Sequence, residues 1–140
     1  MLSATIAGEI HVFNKDTNLG HLTGEAGGYM VFGERYAPDV AFVSKARQPE
    51  LAKKGYNPIP PDLAVEVDFP STLQSQRDLL TKVVNDLAAG TVVWVVRPVD
   101  KIVEVFVPGQ PKKIYGVNDV LDGGDTLPGF MLPVKVIFPE

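Results

Sequence analysis

Apolar positions along this chain change period several times, and each change marks a predicted element. Leu2, Ile6, Ile10 and Phe13 recur at helical spacing and predict a short amphipathic helix over residues 2–14. Gly8 weakens that helix, and Gly20, following Asn18-Leu19, is its expected terminator. Gly27-Gly28 introduces Tyr29-Met30-Val31-Phe32, a short strand closed by Gly33. Pro38 leads into a second strand, Asp39-Val40-Ala41-Phe42-Val43. A helical turn is expected over 48–54, starting at Pro49. Asn57-Pro58-Ile59-Pro60-Pro61 must be a loop, because proline lacks a backbone donor and restricts the residue before it.

The second half is better patterned. Leu63, Val65, Val67 and Phe69 alternate with Asp62, Ala64, Glu66 and Asp68, the period of a strand with one polar face, and Pro70 stops it. Ser71 or Ser75 is placed to cap a helix running to about Ala89, with Gly90 beyond its end. The apolar stripe of that helix reads Leu80, Val83, Val84 and Leu87. Thr91 to Val96 is a β-branched run around Trp94, as in a buried strand. Residues 97–100 turn, Lys101 to Val107 alternates again, and Ile114-Tyr115 follows a Pro/Gly turn. A last strand is expected over Val134 to Phe138. Strands outnumber helices and the main helix lies between two of the best strands. That order predicts a mixed sheet with one principal helix packed on it, in a single domain spanning 1–140.

Composition narrows the class. The chain has 140 residues, 45% hydrophobic and 21% charged, as in ordinary globular domains. It has no cysteine, which excludes disulfides, thiolate metal sites and thiol nucleophiles. Neither a signal peptide nor a stretch approaching the roughly 20 apolar residues of a membrane span is visible, so no membrane partner and a cytoplasmic location are expected. The net charge of -4 argues against generic nucleic-acid binding, which needs clustered Lys and Arg. The nearest such cluster is Lys45, Arg47, Lys53 and Lys54, which reads rather as a solvated loop. His11 and His21, the two histidines, read as structural. No Gly-rich phosphate loop or Ser/His/Asp arrangement supports small-molecule chemistry.

Candidate chemistry centres on carboxylates. Glu66 sits among Ala64, Val65 and Val67, where an unpaired buried charge is costly unless it neutralises, pairs with a base or binds a cation. Asp68, two residues on, should share its face, and Asp39 heads a neighbouring strand. Three acids brought together would raise one another's pKa, a conflict that a hard divalent cation removes. The competing reading makes Asp62, Glu66 and Asp68 the solvated face of a half-exposed strand. Lys82 lies far from the helix stripe and beside Asp78 and Asp86 at i-4 and i+4, the place of an exposed helix-surface ion pair.

The order of motifs changes that balance. Pro38-Asp39-Val40 is followed by Pro61-Asp62-Leu63-Ala64-Val65-Glu66-Val67 and Pro70-Ser71-Thr72. Asp78 and Lys82, Ala88-Ala89-Gly90, Trp94-Val95-Val96 and Gly124-Asp125-Thr126-Leu127-Pro128-Gly129-Phe130 come next. This arrangement closely resembles the Uma-two family of restriction-endonuclease-like proteins, a domain family of unknown function. The resemblance implies the PD-(D/E)xK nuclease fold, an α/β mixed sheet flanked by helices, and a Mg²⁺ or Mn²⁺ cofactor. It implies that Asp39 and Glu66, with the Val67 carbonyl, hold the metal. It further implies that Lys82, moved from the strand onto the following helix, orients water or stabilises charge. The usual lysine position is occupied by Asp68, a further candidate ligand. DNA is the implied substrate, and a homodimer suits cutting of two strands.

The chain also departs from the family pattern. Members usually begin with a further segment carrying a Glu, whereas this chain starts at or inside the first helix, with Glu9 as a substitute acid. Asp86 stands where an aromatic residue is common, Phe69 where serine is, and Asp68 where an apolar residue is. These departures leave a second expectation open: a catalytically inactive binding or oligomerisation module on the same fold.

Overall fold

The computed structural model describes residues 2–24, 27–53, 55–69 and 72–139. Helix α1 (Leu2–Thr17) buries Ile6 and Ile10 of the anticipated stripe. It ends at Asn18 and not at Gly20. Asn18 takes φ 52° and its N–H donates to the Asn14 carbonyl at 2.7 Å, an arrangement asparagine tolerates almost as glycine does. Asn14 then fastens the exit, its Oδ1 accepting from the N–H groups of Leu19 (3.0 Å) and Gly20 (3.2 Å). Gly20 is needed for a different reason. It opens strand β1 (Gly20–Gly24), where a Cβ would stand 2.2 Å from the Val43 carbonyl oxygen.

Strands β2 (Tyr29–Val31) and β3 (Glu34–Tyr36) form a hairpin through Phe32 and Gly33, at φ 50° and 78°. Two positive φ values match the right-handed twist of the flanking strands, so Gly33 turns the chain back and does not end the pairing. Next come β4 (Val40–Ser44), β5 (Leu63–Val67), helix α2 (Leu73–Ala88), β6 (Val92–Arg97), β7 (Ile102–Phe106) and β8 (Lys113–Tyr115). Six of these strands form one sheet in the order β1-β4-β5-β6-β7-β8. Its β5–β6 pair is parallel and the other pairs are antiparallel. A parallel neighbour needs a crossover, and α2 supplies it. Thr72 and Ser75 form a capping box at its start: the Thr72 hydroxyl accepts from Ser75 N–H at 3.0 Å and the Ser75 hydroxyl from Thr72 N–H at 3.2 Å. Of the two serines expected as caps, Ser75 acts from the third helical position, while Ser71 lies outside the described residues, as do Pro70 and Lys54.

Alternation gives the sheet two dissimilar faces. Phe42, Leu63, Val65, Trp94 and Val96 point to one face, where α1 and the C-terminal elements cover them. Val93 and Val95 point to the other, under Val83, Leu79 and Leu87 of α2. The stripe of α2 is therefore rotated from the expected one. Leu80 and Val84 are 60% and 55% exposed, and the sheet-facing side carries Lys82 and Asp86 among Leu79, Val83 and Leu87. With Leu79 and Leu80 adjacent, the apolar pattern fits two rotations, and the one adopted packs Leu79, Val83 and Leu87 on Val93 and Val95.

Two further expectations fail. Val134–Ile137 is a short helix, α3, and not a strand: Val134, Ile137 and Phe138 are buried at i, i+3 and i+4 while Val136 is 40% exposed. It follows a hairpin of β9 (Val120–Asp122) and β10 (Met131–Pro133). Residues 49–53 form no helical turn. Gln48 and Asn57 instead pin this loop by reciprocal amide bonds of 2.8 and 2.6 Å. Arg47, although exposed, is tied down: it donates to the carbonyls of Pro60 (3.1 Å) and Pro61 (2.9 Å) and pairs with Asp62 at 3.4 Å. No described helix is long and apolar enough to cross a membrane. The architecture is a central mixed sheet flanked by helices in one domain.

Candidate functional site

Asp39 immediately precedes β4, and Glu66 is the penultimate residue of β5. Because Val40 pairs with Val65 in the antiparallel ladder, the two acids fall at adjacent places where the strands begin to part. The Asp39 N–H donates to Glu66 Oε1 at 3.3 Å, and Asp39 Oδ2 accepts from the Val67 N–H at 2.7 Å. Each acid is thus oriented by the other strand's backbone or side chain. Both line an open cleft of about 400 Å³ with Val67, Asp68, Ser75, Asp78, Leu79 and Lys82. Asp39, Glu66, Val67, Asp68 and Lys82 therefore line one cleft, and Lys82 is inward-facing.

Electrostatics set Glu66 apart. Removal from water pushes its carboxyl up to about 7. Lys82 and the Asp39 N–H pull it down, while the negative charges of Asp39 and Asp86 push it further up. At neutral pH Glu66 is close to half protonated, so the cleft holds an acid that its own cation does not fully balance. Lys82 Nζ lies 5.9 Å from the centre of the Tyr36 ring, whose hydroxyl accepts from Asn85 Nδ2 at 2.8 Å. Asp78, expected to pair with Lys82, is exposed and takes a bond from Gln74 at 2.9 Å instead.

Asp68 shares the face but not the situation. Arg97 Nη1 donates to its Oδ2 at 2.5 Å, and Gln76 Nε2 lies 3.3 Å from both its oxygens. Arg97 also binds Glu104, which Lys112 meets from the far side at 2.7 Å. Burial alone would raise Glu104, but its bonds to Lys112 and Arg97 outweigh that and leave its pKa lowered. Among the described residues no group of three or more His, Asp or Glu side chains stands in metal-ligand geometry. The acids converge as a pair, with Asp68 tied to the neighbouring ion chain. The solvated-face reading of β5 does not hold either: Asp62 is fixed by Arg47 and by the Ser44 N–H at 2.5 Å, Asp68 by Arg97, and Glu66 is largely withdrawn from water.

The remaining candidates lie elsewhere. Glu9 and His11 are exposed on α1, which covers the opposite face, and His21 Nε2 bonds the Pro49 carbonyl at 2.8 Å. Sequence reasoning missed Tyr36, Asn85, Arg97 and Glu104. Glu104 alone carried a signal, a charge on the otherwise apolar Ile102–Phe106 strand.

Comparison with known proteins agrees with this architecture. The sequence model of the Uma2 family, described as "Putative restriction endonuclease", matches residues 2–135. The crystal structure of a "putative nuclease belonging to DUF820" from Anabaena variabilis ATCC 29413 superposes with a TM-score of 0.81 at 18% sequence identity. The match covers 98% of this chain and 78% of that one. Identity that low speaks for the fold alone. No curated protein matches the chain. With the family model spanning nearly its whole length, this chain belongs to the Uma2 family.

Proposed function

We propose that this protein is a metal-dependent endonuclease that hydrolyses DNA phosphodiester bonds in the Asp39/Glu66 cleft. The observation that carries this reading is the meeting of two acids on adjacent strands, one of them raised to about 7 by its surroundings and both facing an inward lysine. The donor set fits a hard divalent ion. Its members are oxygens only, two carboxylates with the Val67 carbonyl nearby, and Mg²⁺ is commonly held by one or two carboxylates plus water. Such an ion, when bound, supplies an acidified water and neutralises charge on the scissile phosphate.

The chain's own residues do the rest. Asp39 and Glu66 bind and orient, and the Val67 N–H and the Asp39 N–H keep those carboxylates from rotating away. Lys82 places a positive charge beside them, where it stabilises the extra negative charge of the transition state. Asp68 shapes the cleft wall, its carboxylate already held by Arg97 and Gln76. The family and the DUF820 fold neighbour support this reading.

The test combines calorimetric titration with Mg²⁺ and Mn²⁺ and nicking of supercoiled plasmid by wild type, Asp39→Asn and Glu66→Gln. Metal-dependent nicking that disappears in both variants is the expected result. An equal, metal-independent background in all three would leave the fold as a binding or oligomerisation module.

A further inference from the structure

Lys82 and Asp86 lie one turn apart on the side of α2 that faces the sheet, where residues four apart stand one above the other. Asp86 is 4% exposed. It also occupies the last turn of the helix, three residues before the Ala89 cap, where the closing carbonyls repel an anion. Burial raises its carboxyl to about 6, and Lys82 is the cation that pulls it back. A carboxylate kept in a place unfavourable on two counts needs a positive partner.

On its other flank the ammonium meets the Tyr36 ring at 5.9 Å, a cation–π distance. Asn85, next to Asp86 in the chain, fixes that ring through its hydroxyl. The end of α2 thus contributes twice to the setting of Lys82: through the charge of Asp86 one turn away, and through Asn85 and Tyr36.

We propose that Asp86 is a positioning residue, which with Tyr36 holds the Lys82 ammonium at the cleft. Its consequence for catalysis rests on the nuclease reading, whereas its effect on Lys82 does not. Asp86 touches no reacting atom; it acts through Lys82.

Two readouts on the full chain separate these levels. The first is reductive methylation followed residue by residue by mass spectrometry. Loss of a neighbouring opposite charge frees an amine, so Asp86→Asn and the smaller Asp86→Ser should each raise the Lys82 rate about 3- to 10-fold against exposed Lys15 and Lys101 as internal controls. Asp86→Glu should keep it low. The second is plasmid nicking, where Asp86→Asn should lower kcat about tenfold at unchanged KM and unchanged Mn²⁺ affinity, and should cost nothing further in a Lys82→Met background. Lys82 methylated at the wild-type rate in both Asp86→Asn and Asp86→Ser would overturn the proposal, as would an equal Asp86→Asn loss with and without Lys82. Should the wild type nick no DNA, the nuclease reading fails and methylation alone decides the role of Asp86.

Discussion

Two groups of charges share the α2 face of the sheet, and they are solved in opposite ways. In the chain Asp68–Arg97–Glu104–Lys112 every acid touches a cation, and Glu104 stays ionised more readily than an ordinary glutamate despite its burial. In the cleft, Glu66 and Asp86 share the influence of one lysine, and both are pushed up, to about 7 and about 6. The first arrangement is complete in itself. The second leaves an anion incompletely answered and open to solvent, which is the condition under which an external cation gains most. Similar residue types on one surface thus separate into scaffold and site by whether their charges close.

The widest gap between the two should appear in activity. On the proposed metal-dependent reading, Glu66→Gln or Asp39→Asn should reduce nicking by about 100-fold or more, measured as initial rates, because each would remove a ligand oxygen. Glu104→Gln should leave the nicking rate within about twofold. Stability reverses the ranking. Arg97→Met strands Asp68, at 10% side-chain exposure, and leaves Glu104 with Lys112 alone; it should cost about 2–3 kcal/mol in urea denaturation while Mn²⁺ affinity is retained.

A smaller effect follows from the raised Glu66. Its folded-state pKa lies above the usual 4.5, so the native state binds more protons than the unfolded chain between those values. Stability is therefore greatest below the unfolded value and is lost as pH rises towards about 7, by about 2 kcal/mol after allowance for water in the open cleft. Thermal melts without metal should show that decline, Glu66→Gln should flatten its Glu66 part, and Mg²⁺ should offset it near pH 7. Glu104 behaves conversely: its contribution is present at neutral pH and fades as acid protonates it. Least of all, Lys112→Ala removes a cation that is 43% exposed and should change stability by about 0.5 kcal/mol.

The strands with strong β-branched runs were legible because burial on both faces leaves a continuous apolar signal, as in Val92–Arg97. The short hairpins were not, since three-residue strands such as Glu34–Tyr36 carry too few positions to show a period. The tail misled because Val and Ile favour strands, whereas the burial of Val134, Ile137 and Phe138 follows a helical turn. The acids Asp39 and Glu66 stood out as charges set into apolar strands. Lys82 did not, because its orientation depends on which rotation of α2 fits the sheet, a tertiary fact. Its inward position was reached through family resemblance, and its partners Tyr36 and Asp86 became visible only once the helix was seated.

The β5–α2–β6 crossover has one more implication. Glu66, Lys82 and Asp86 lie within one contiguous stretch, yet the pairing that this crossover closes joins Leu63 to Val92, a longer span of chain than the Phe42–Leu63 and Val40–Val65 pairs that bring Asp39 beside Glu66. Contacts of short sequence separation are entropically cheap to form early. The pairing that sets the two acids side by side is therefore the shorter loop to close, and Lys82 is seated over them only when β6 completes the crossover beneath α2.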